Sequence, residues 1–218
     1  FVPHGDIKFK LKDASGASDV LTISLIAFDG LPDGEANGAV QAGTIEATGI
    51  ETIKLHSAVG NIEVDVPGTP KTESSVAADY VNAISHLRID GSKTLTVTGS
   101  ASLDLNSIYS DSVATFDASA STGDIYFSGV TNTGATPLAR LSYLGSRGDD
   151  QVVGTGAGIV FQGNAGRDTL TLDDDTSVAD IISFAKAGDS ILVLDSGNHA
   201  LVDEMDTLSN FESGVDKI

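Results

Sequence analysis

The sequence predicts an all-β protein, rich in parallel β-solenoid or β-roll rungs, with one short helix near residues 75–85. Three observations carry that expectation. Apolar and polar residues alternate through most of residues 6–128, the period of a strand with one buried face. Gly, Ser, Asn or Asp punctuates nearly every boundary between these short runs, as tight turns require. Two glycine–aspartate segments, Gly145-Ser146-Arg147-Gly148-Asp149-Asp150-Gln151-Val152-Val153 and Gly163-Asn164-Ala165-Gly166-Arg167-Asp168-Thr169-Leu170-Thr171, begin eighteen residues apart, two periods of a nine-residue repeat.

The elements follow in order. Asp6 to Lys12 places Ile7, Phe9 and Leu11 on one face and three lysines on the other, a half-buried strand. A turn over Asp13–Ser18 and a second strand over Asp19–Phe28 then predict a hairpin across residues 6–28. Residues 29–38 form an acidic loop. Strand-like runs continue at Thr44–Ala47, Ile50–His56, Asn61–Val66, His86–Asp90, Thr94–Thr98, Ser102–Asn106, Val113–Asp117 and Asp124–Ser128. Ser74–Ile84 breaks the rhythm. Val76, Tyr80 and Ile84 fall at i, i+4 and i+8 behind a serine that can cap, which predicts a helix of two to three turns packed on a sheet.

Near residue 141 the texture changes, dividing the chain into a β-rich domain over 1–140, containing the helix, and a short roll with trailing strands over 141–218. Within the second part, Phe184-Ala185-Lys186-Ala187-Gly188-Asp189-Ser190-Ile191 is echoed 27 residues later by Phe211-Glu212-Ser213-Gly214-Val215-Asp216-Lys217-Ile218.

Composition narrows the function classes. Twelve Lys and Arg against 31 Asp and Glu give a net charge of −19 and a pI near 4.2, which repels nucleic acid and anionic membrane surfaces. Such a chain is well supplied with the oxygen ligands that hard divalent cations prefer, although the same charge also serves solubility. There is no cysteine, so disulfides and thiolate metal sites are excluded and another staple is expected. No apolar run reaches transmembrane length. The chain opens Phe1-Val2-Pro3 and reads as a fragment of a longer protein. His4, His56, His86 and His199 are scattered, and neither H-E-x-x-H nor G-x-x-x-x-G-K-[ST] occurs, so no enzyme is expected. Arg147-Gly148-Asp149 spells an integrin-type tripeptide, but the repeat already accounts for its glycine and the neighbouring aspartate.

The repeat itself predicts a calcium site. If each nonapeptide forms a turn and a short strand, two complete one coil of a flattened right-handed helix, and residues eighteen apart stack on one edge. Loop 145–150 then lies beside loop 163–168. Asp150 and Asp168 share one ion, with carbonyls from around Arg147, Gly148, Asn164 and Ala165 completing about six oxygens. Val152 and Leu170 point into a thin core, so folding and ion binding are coupled. On the opposite edge Gly154-Thr155-Gly156-Ala157-Gly158 faces Leu172-Asp173-Asp174-Asp175, where a second ion can be held by Asp173 or Asp175. A pair of ordinary Gly-Asp turns is the simpler alternative.

With these motifs the chain resembles the RTX (repeat-in-toxin) proteins exported by type I secretion. Gly49-Ile50-Glu51-Thr52-Ile53-Lys54-Leu55, Lys93-Thr94-Leu95-Thr96-Val97-Thr98-Gly99 and Val113-Ala114-Thr115-Phe116-Asp117-Ala118-Ser119 are similar to rungs of RTX-type bacterial surface-layer (S-layer) and adhesin-like proteins. The resemblance implies a secreted protein at the bacterial cell surface, whose folding and self-assembly depend on Ca2+. Other copies of the same chain are the implied partners, with cell-surface polysaccharide a further one. The alternatives are an RTX adhesin segment that binds glycan or a host surface, and the accessory roll of a secreted hydrolase.

Overall fold

In the computed structural model the described residues are 6–10, 16–29, 38–61, 80–173, 178–184, 193–194, 200–201 and 206–218. The first strands are β1 (Ile7–Lys10), β2 (Val20–Asp29), β3 (Gln41–Thr48), β4 (Thr52–Asn61), β5 (Val81–Arg88) and β6 (Thr94–Gly99). They continue as β7 (Ser102–Leu105), β8 (Ile108–Ser110), β9 (Thr115–Ser121), β10 (Ile125–Phe127), β11 (Val130–Asn132) and β12 (Leu141–Leu144). Then come β13 (Gln151–Val153), β14 (Ile159–Gln162), β15 (Thr169–Thr171), β16 (Ile181–Ile182), β17 (Val193–Leu194), β18 (Ala200–Leu201) and β19 (Thr207–Ser209).

These strands alternate between two sheets. One runs β1-β3-β5-β7-β10-β13-β15-β19, with β8 and β11 attached, and the other runs β16-β14-β12-β9-β6-β4-β2. Every pairing in both is parallel, as in β2 on β4 and β13 on β15; the small β17–β18 pair, antiparallel, stands outside them. Each coil of chain thus lays one run in each sheet and returns one rung further along. Parallel neighbours require such a crossover, here supplied by the opposite sheet rather than by helices. The fold is all-β and solenoid-like, as the sequence predicts.

Two local expectations are corrected. Residues 6–28 do not form a hairpin: β1 pairs with β3 and β2 with β4, in different sheets. The helix near 75–85 is also displaced, because Val81–Arg88 is strand β5; the residues from Ile62 to Asp79 lie outside the described set, and with them Ile62–Val66 of the Asn61–Val66 run. Among the described residues there is no helix.

The inner faces of the two sheets make the core. In one sheet Leu21, Ile53, Leu95, Phe116, Tyr143, Phe161 and Ile182 stack in register along successive rungs. Opposite them Leu105, Phe127, Val152, Leu170 and Leu208 do the same. The rings of Phe116 and Tyr143 stack at 4.8 Å, those of Tyr143 and Phe161 at 5.5 Å, and Phe127 meets Phe116 and Tyr143 edge-on. Offset and edge-on pairs of this kind add stabilisation beyond area burial.

Coil length varies along the solenoid, from 38 and 42 residues in the first coils to 18 between β13 and β15, and is 38 again between β15 and β19. Both sheets continue through residue 141, since β12 pairs with β9 on one side and β14 on the other. The shortest coils therefore extend the core of the longer ones.

One polar residue ties the wide end together. Asn82 is fully buried; its Oδ1 accepts the Val40 N–H at 2.7 Å and its Nδ2 donates to Ser57 Oγ at 3.0 Å and Leu25 O at 3.1 Å. Asn82→Ala is expected to cost about 2–3 kcal/mol, because it leaves buried donors and acceptors unmet. Urea denaturation measures this; a change below about 0.5 kcal/mol would show the linkage to be incidental.

Candidate metal centre

At the turn edge of a solenoid the backbone leaves the sheet, and an N–H at the start of a rung can lose its ladder partner. A buried donor of this kind must find another acceptor. Here the next rung supplies one. Ile125 N–H donates to Asp150 Oδ1 at 2.9 Å, Asp150 N–H to Asp168 Oδ1 at 2.9 Å, and Asp168 N–H to Asp206 Oδ1 at 3.0 Å. The result is a column of aspartates, each holding the start of the rung before it.

The nonapeptide loops stack as their spacing requires. Gln151, Val152 and Val153 lie in register with Thr169, Leu170 and Thr171, and Val152 and Leu170 are both buried in the core. Asp150 and Asp168 are brought together, with exposures of 0% and 1%. Asp150 is held by further donors: Ser146 Oγ–H bonds its Oδ1 at 2.6 Å and Ser146 N–H its Oδ2 at 2.8 Å. Asp168 Oδ2, by contrast, is buried and accepts no hydrogen bond.

Glycine is required where the carboxylates fold back over their own loops. A β-carbon at Gly163 would overlap Asp168 Oδ2, and at Gly166, with φ at +118°, it would overlap the Gly148 carbonyl of the neighbouring loop. The other sequence-predicted residues frame the same loops. Arg147 N–H bonds Ser121 O at 3.1 Å, and Gly148 N–H bonds Ser146 Oγ at 3.0 Å. Asn164 adopts a left-handed φ of 74° and donates from Nδ2 to Gly145 O at 2.6 Å. Ala165 sits between Asn164 and Gly166 in the second loop. On the opposite edge Gly154 stacks against Leu172 and Asp173, and Asp175 lies outside the described residues.

Sequence reasoning missed three aspartates. Asp206 extends the first column. Asp180, 2% exposed, accepts Ile159 N–H at 2.7 Å and donates its own N–H to Asp216 Oδ1 at 3.0 Å, making a second column at the other sheet. The available signal was the Asp-x-apolar triplet, without glycines at Asp180-Ile181-Ile182 and Asp206-Thr207-Leu208 and behind Gly214 at Asp216-Lys217-Ile218.

Charge is the unresolved quantity in the first column. Burial raises the pKa of Asp150 to about 7 and that of Asp168 to about 8, with neighbouring aspartates adding to both. Among the described residues, ion pairs join Lys8 to Glu46 and Arg167 to Asp149, and neither reaches the buried pair. Two ionised carboxylates here cost several kcal/mol each without a compensating charge. A proton or a cation must supply it. Side-chain oxygens suit a hard cation: an open Asp168 oxygen, with the Asp150 carboxylate next to it in the column. Among the described residues no group of three or more His, Asp or Glu side chains is placed to hold a metal alone, so backbone carbonyls would have to contribute.

The raised values fix the sign of a pH effect. Between the unfolded pKa of about 4 and the folded values, the native state binds more protons than the unfolded chain, so stability falls as pH rises. In chelator the protein should therefore melt lower at about pH 9 than at about pH 5, the decline beginning near about pH 4 and levelling off above about 8. Thermal scans across that range test this; a midpoint that rises with pH in chelator would show that the pair stays ionised without help.

No protein-family model matches the chain, and no curated protein or solved structure matches it. Among the described residues no helix is long and apolar enough to cross a membrane.

Proposed function

We infer that this chain is a calcium-stabilised structural segment of an extracellular bacterial surface layer, of the RTX type. The observation that carries the calcium part is the buried Asp150–Asp168 pair, with one carboxylate oxygen left without a donor. Calcium would supply the missing positive charge and tie two adjacent turns, as a disulfide does in other extracellular proteins. Asp150 and Asp168 would hold it together with loop carbonyls, and the rungs beyond β13 would depend on it for order. Secretion and calcium dependence fit together, because calcium is plentiful outside cells.

The surface-layer part is supported by the three segments similar to S-layer rungs. Gly49–Leu55, Lys93–Gly99 and Val113–Ser119 contribute to β4, β6 and β9, consecutive neighbours in one sheet, with Thr52, Thr94 and Thr115 in register. They behave as one structural repeat. Such an architecture suits a scaffold that meets other copies of itself.

Calorimetric titration with calcium chloride, followed by circular dichroism, tests the reading. Asp168→Asn is the informative variant, because it keeps an acceptor for Asp150 N–H while removing the charge. Saturable binding is expected in the wild type, with affinity at least tenfold weaker in the variant, since losing a charged ligand costs about 1.4 kcal/mol or more. Electron microscopy should show ordered assemblies with calcium and dispersed chains in chelator. A wild type that neither takes up calcium nor changes its melting temperature overturns the reading.

A further inference from the structure

The outer face of one sheet carries a groove of about 210 Å3 that crosses β7, β10, β13 and β15. It lies beside a step in that sheet. The β7 and β10 rungs run on into β8 and β11, while after β13 the chain crosses directly to the other sheet as β14. Alternate residues of the four strands are buried in the core, so Asp104, Tyr126, Gln151 and Thr169 project outward. They stand in one register row, with about 4.7–4.9 Å between rungs. Asn106 and Val153, the latter 43% exposed, line the groove in the next row across.

Two features separate this row from an ordinary solvated face. None of its four side chains is engaged in a hydrogen bond or ion pair with another described residue. Elsewhere on the same face such groups find each other, as Lys8 does Glu46 and Arg88 the Tyr109 ring. The row also combines three kinds of contact. A carboxylate accepts pairs of hydroxyls, a carboxamide both donates and accepts, and a tyrosine offers a flat apolar face. A sugar presents the matching surface, with hydroxyls around its rim and C–H bonds on its faces.

Charge and size narrow the ligand. Asp104 is the one charged group lining the groove, on a chain of net charge −19, so a chain bearing uronates or phosphates would be repelled. The volume is smaller than the about 300–1,000 Å3 of pockets that enclose a whole small molecule. That suits a surface which grips a few units of a longer chain and leaves the rest in solvent. A straight row on a regular sheet fits an extended ribbon, the form of a β-1,4-linked glycan, better than a coiled one.

We propose that this groove binds a neutral β-1,4-linked glycan lying across the strands. Tyr126 stacks on one sugar ring, and Asp104 and Gln151 bond hydroxyls of the units on either side. This role is independent of the surface-layer reading. Because Gln151 and Thr169 directly follow Asp150 and Asp168, the test is made in saturating calcium chloride.

Calorimetric titration with cellohexaose and with chitohexaose measures binding, and hexagalacturonate serves as an acidic chain of the same length. Saturable binding of at least one neutral hexamer is expected, with hexagalacturonate about tenfold weaker or more. Tyr126→Ala should weaken binding about tenfold, the worth of one stacked ring. Gln151→Ala, at an exposed position, should weaken it about threefold. Lys54→Ala, exposed on the other sheet, should bind as wild type does. Failure of both neutral hexamers to bind, or equal binding by wild type and both groove variants, overturns the proposal. Tighter binding of hexagalacturonate overturns the neutral class. Self-association in sedimentation velocity that Tyr126→Ala abolishes, and that neither hexamer competes with, would make the groove a contact between copies and overturn the glycan role. A wild type that takes up no calcium yet binds a neutral hexamer through Tyr126 overturns the calcium reading and leaves the glycan site established.

Discussion

The need of N–H groups at the starts of rungs for an acceptor governs the glycine–aspartate part of this protein. In a parallel solenoid the chain leaves the sheet at every turn, and there a donor such as that of Ile125, Asp150, Asp168 or Ile159 is met by a side chain instead of a neighbouring strand. Aspartate from the next rung meets that need, in one column through Asp150, Asp168 and Asp206 and in another through Asp180 and Asp216. The solution is local but its cost is collective. Each carboxylate placed in a column lies close to the next, and burial removes the water that would screen them. We propose that a cation resolves this without dismantling the hydrogen bonds.

Coil length decides where the turns are tightest. In the first 38- and 42-residue coils Asn82 and Ser57 meet buried polar groups, while Asp206 serves the aspartate column across a later 38-residue coil. In the 18-residue coil only six residues separate strand from strand, as between β12 and β13. Turns that tight need glycine at the points of closest approach, as at Gly163 and Gly166, and leave room for only short side chains to bridge rungs. Aspartate is short enough and accepts strongly.

The architecture was legible because the repeat period has a geometric meaning. Eighteen-residue spacing predicted that Asp150 and Asp168 stack and that Val152 and Leu170 face inward, and both are so placed. Strand periodicity, however, carries no information about partners. Ile7-Phe9 and the run after Asp19 alternate as hairpin strands would, yet each joins a different sheet. The predicted helix failed for a specific reason. Tyr80, Asn82 and Ile84 are the buried residues there, a period of two, but the middle one is polar; with Asn82 discounted, the remaining pair has helical spacing. Asp180 and Asp206 were invisible because their turns lack the glycine frame, although they do the same work as Asp168; Asp216, behind Gly214, stood in a repeated segment to which the sequence assigned no ligand.

The central claim is that a cation, rather than a proton, completes the stacked loops 145–150 and 163–168. Anomalous diffraction from crystals soaked in a terbium salt, a heavy stand-in for calcium, tests it most directly. The account predicts a peak between the two loops, at about 2.3–2.6 Å from Asp168 Oδ2. Well-ordered loops with no peak, and Asp168 Oδ2 bonded to water or to a chain donor, would contradict it.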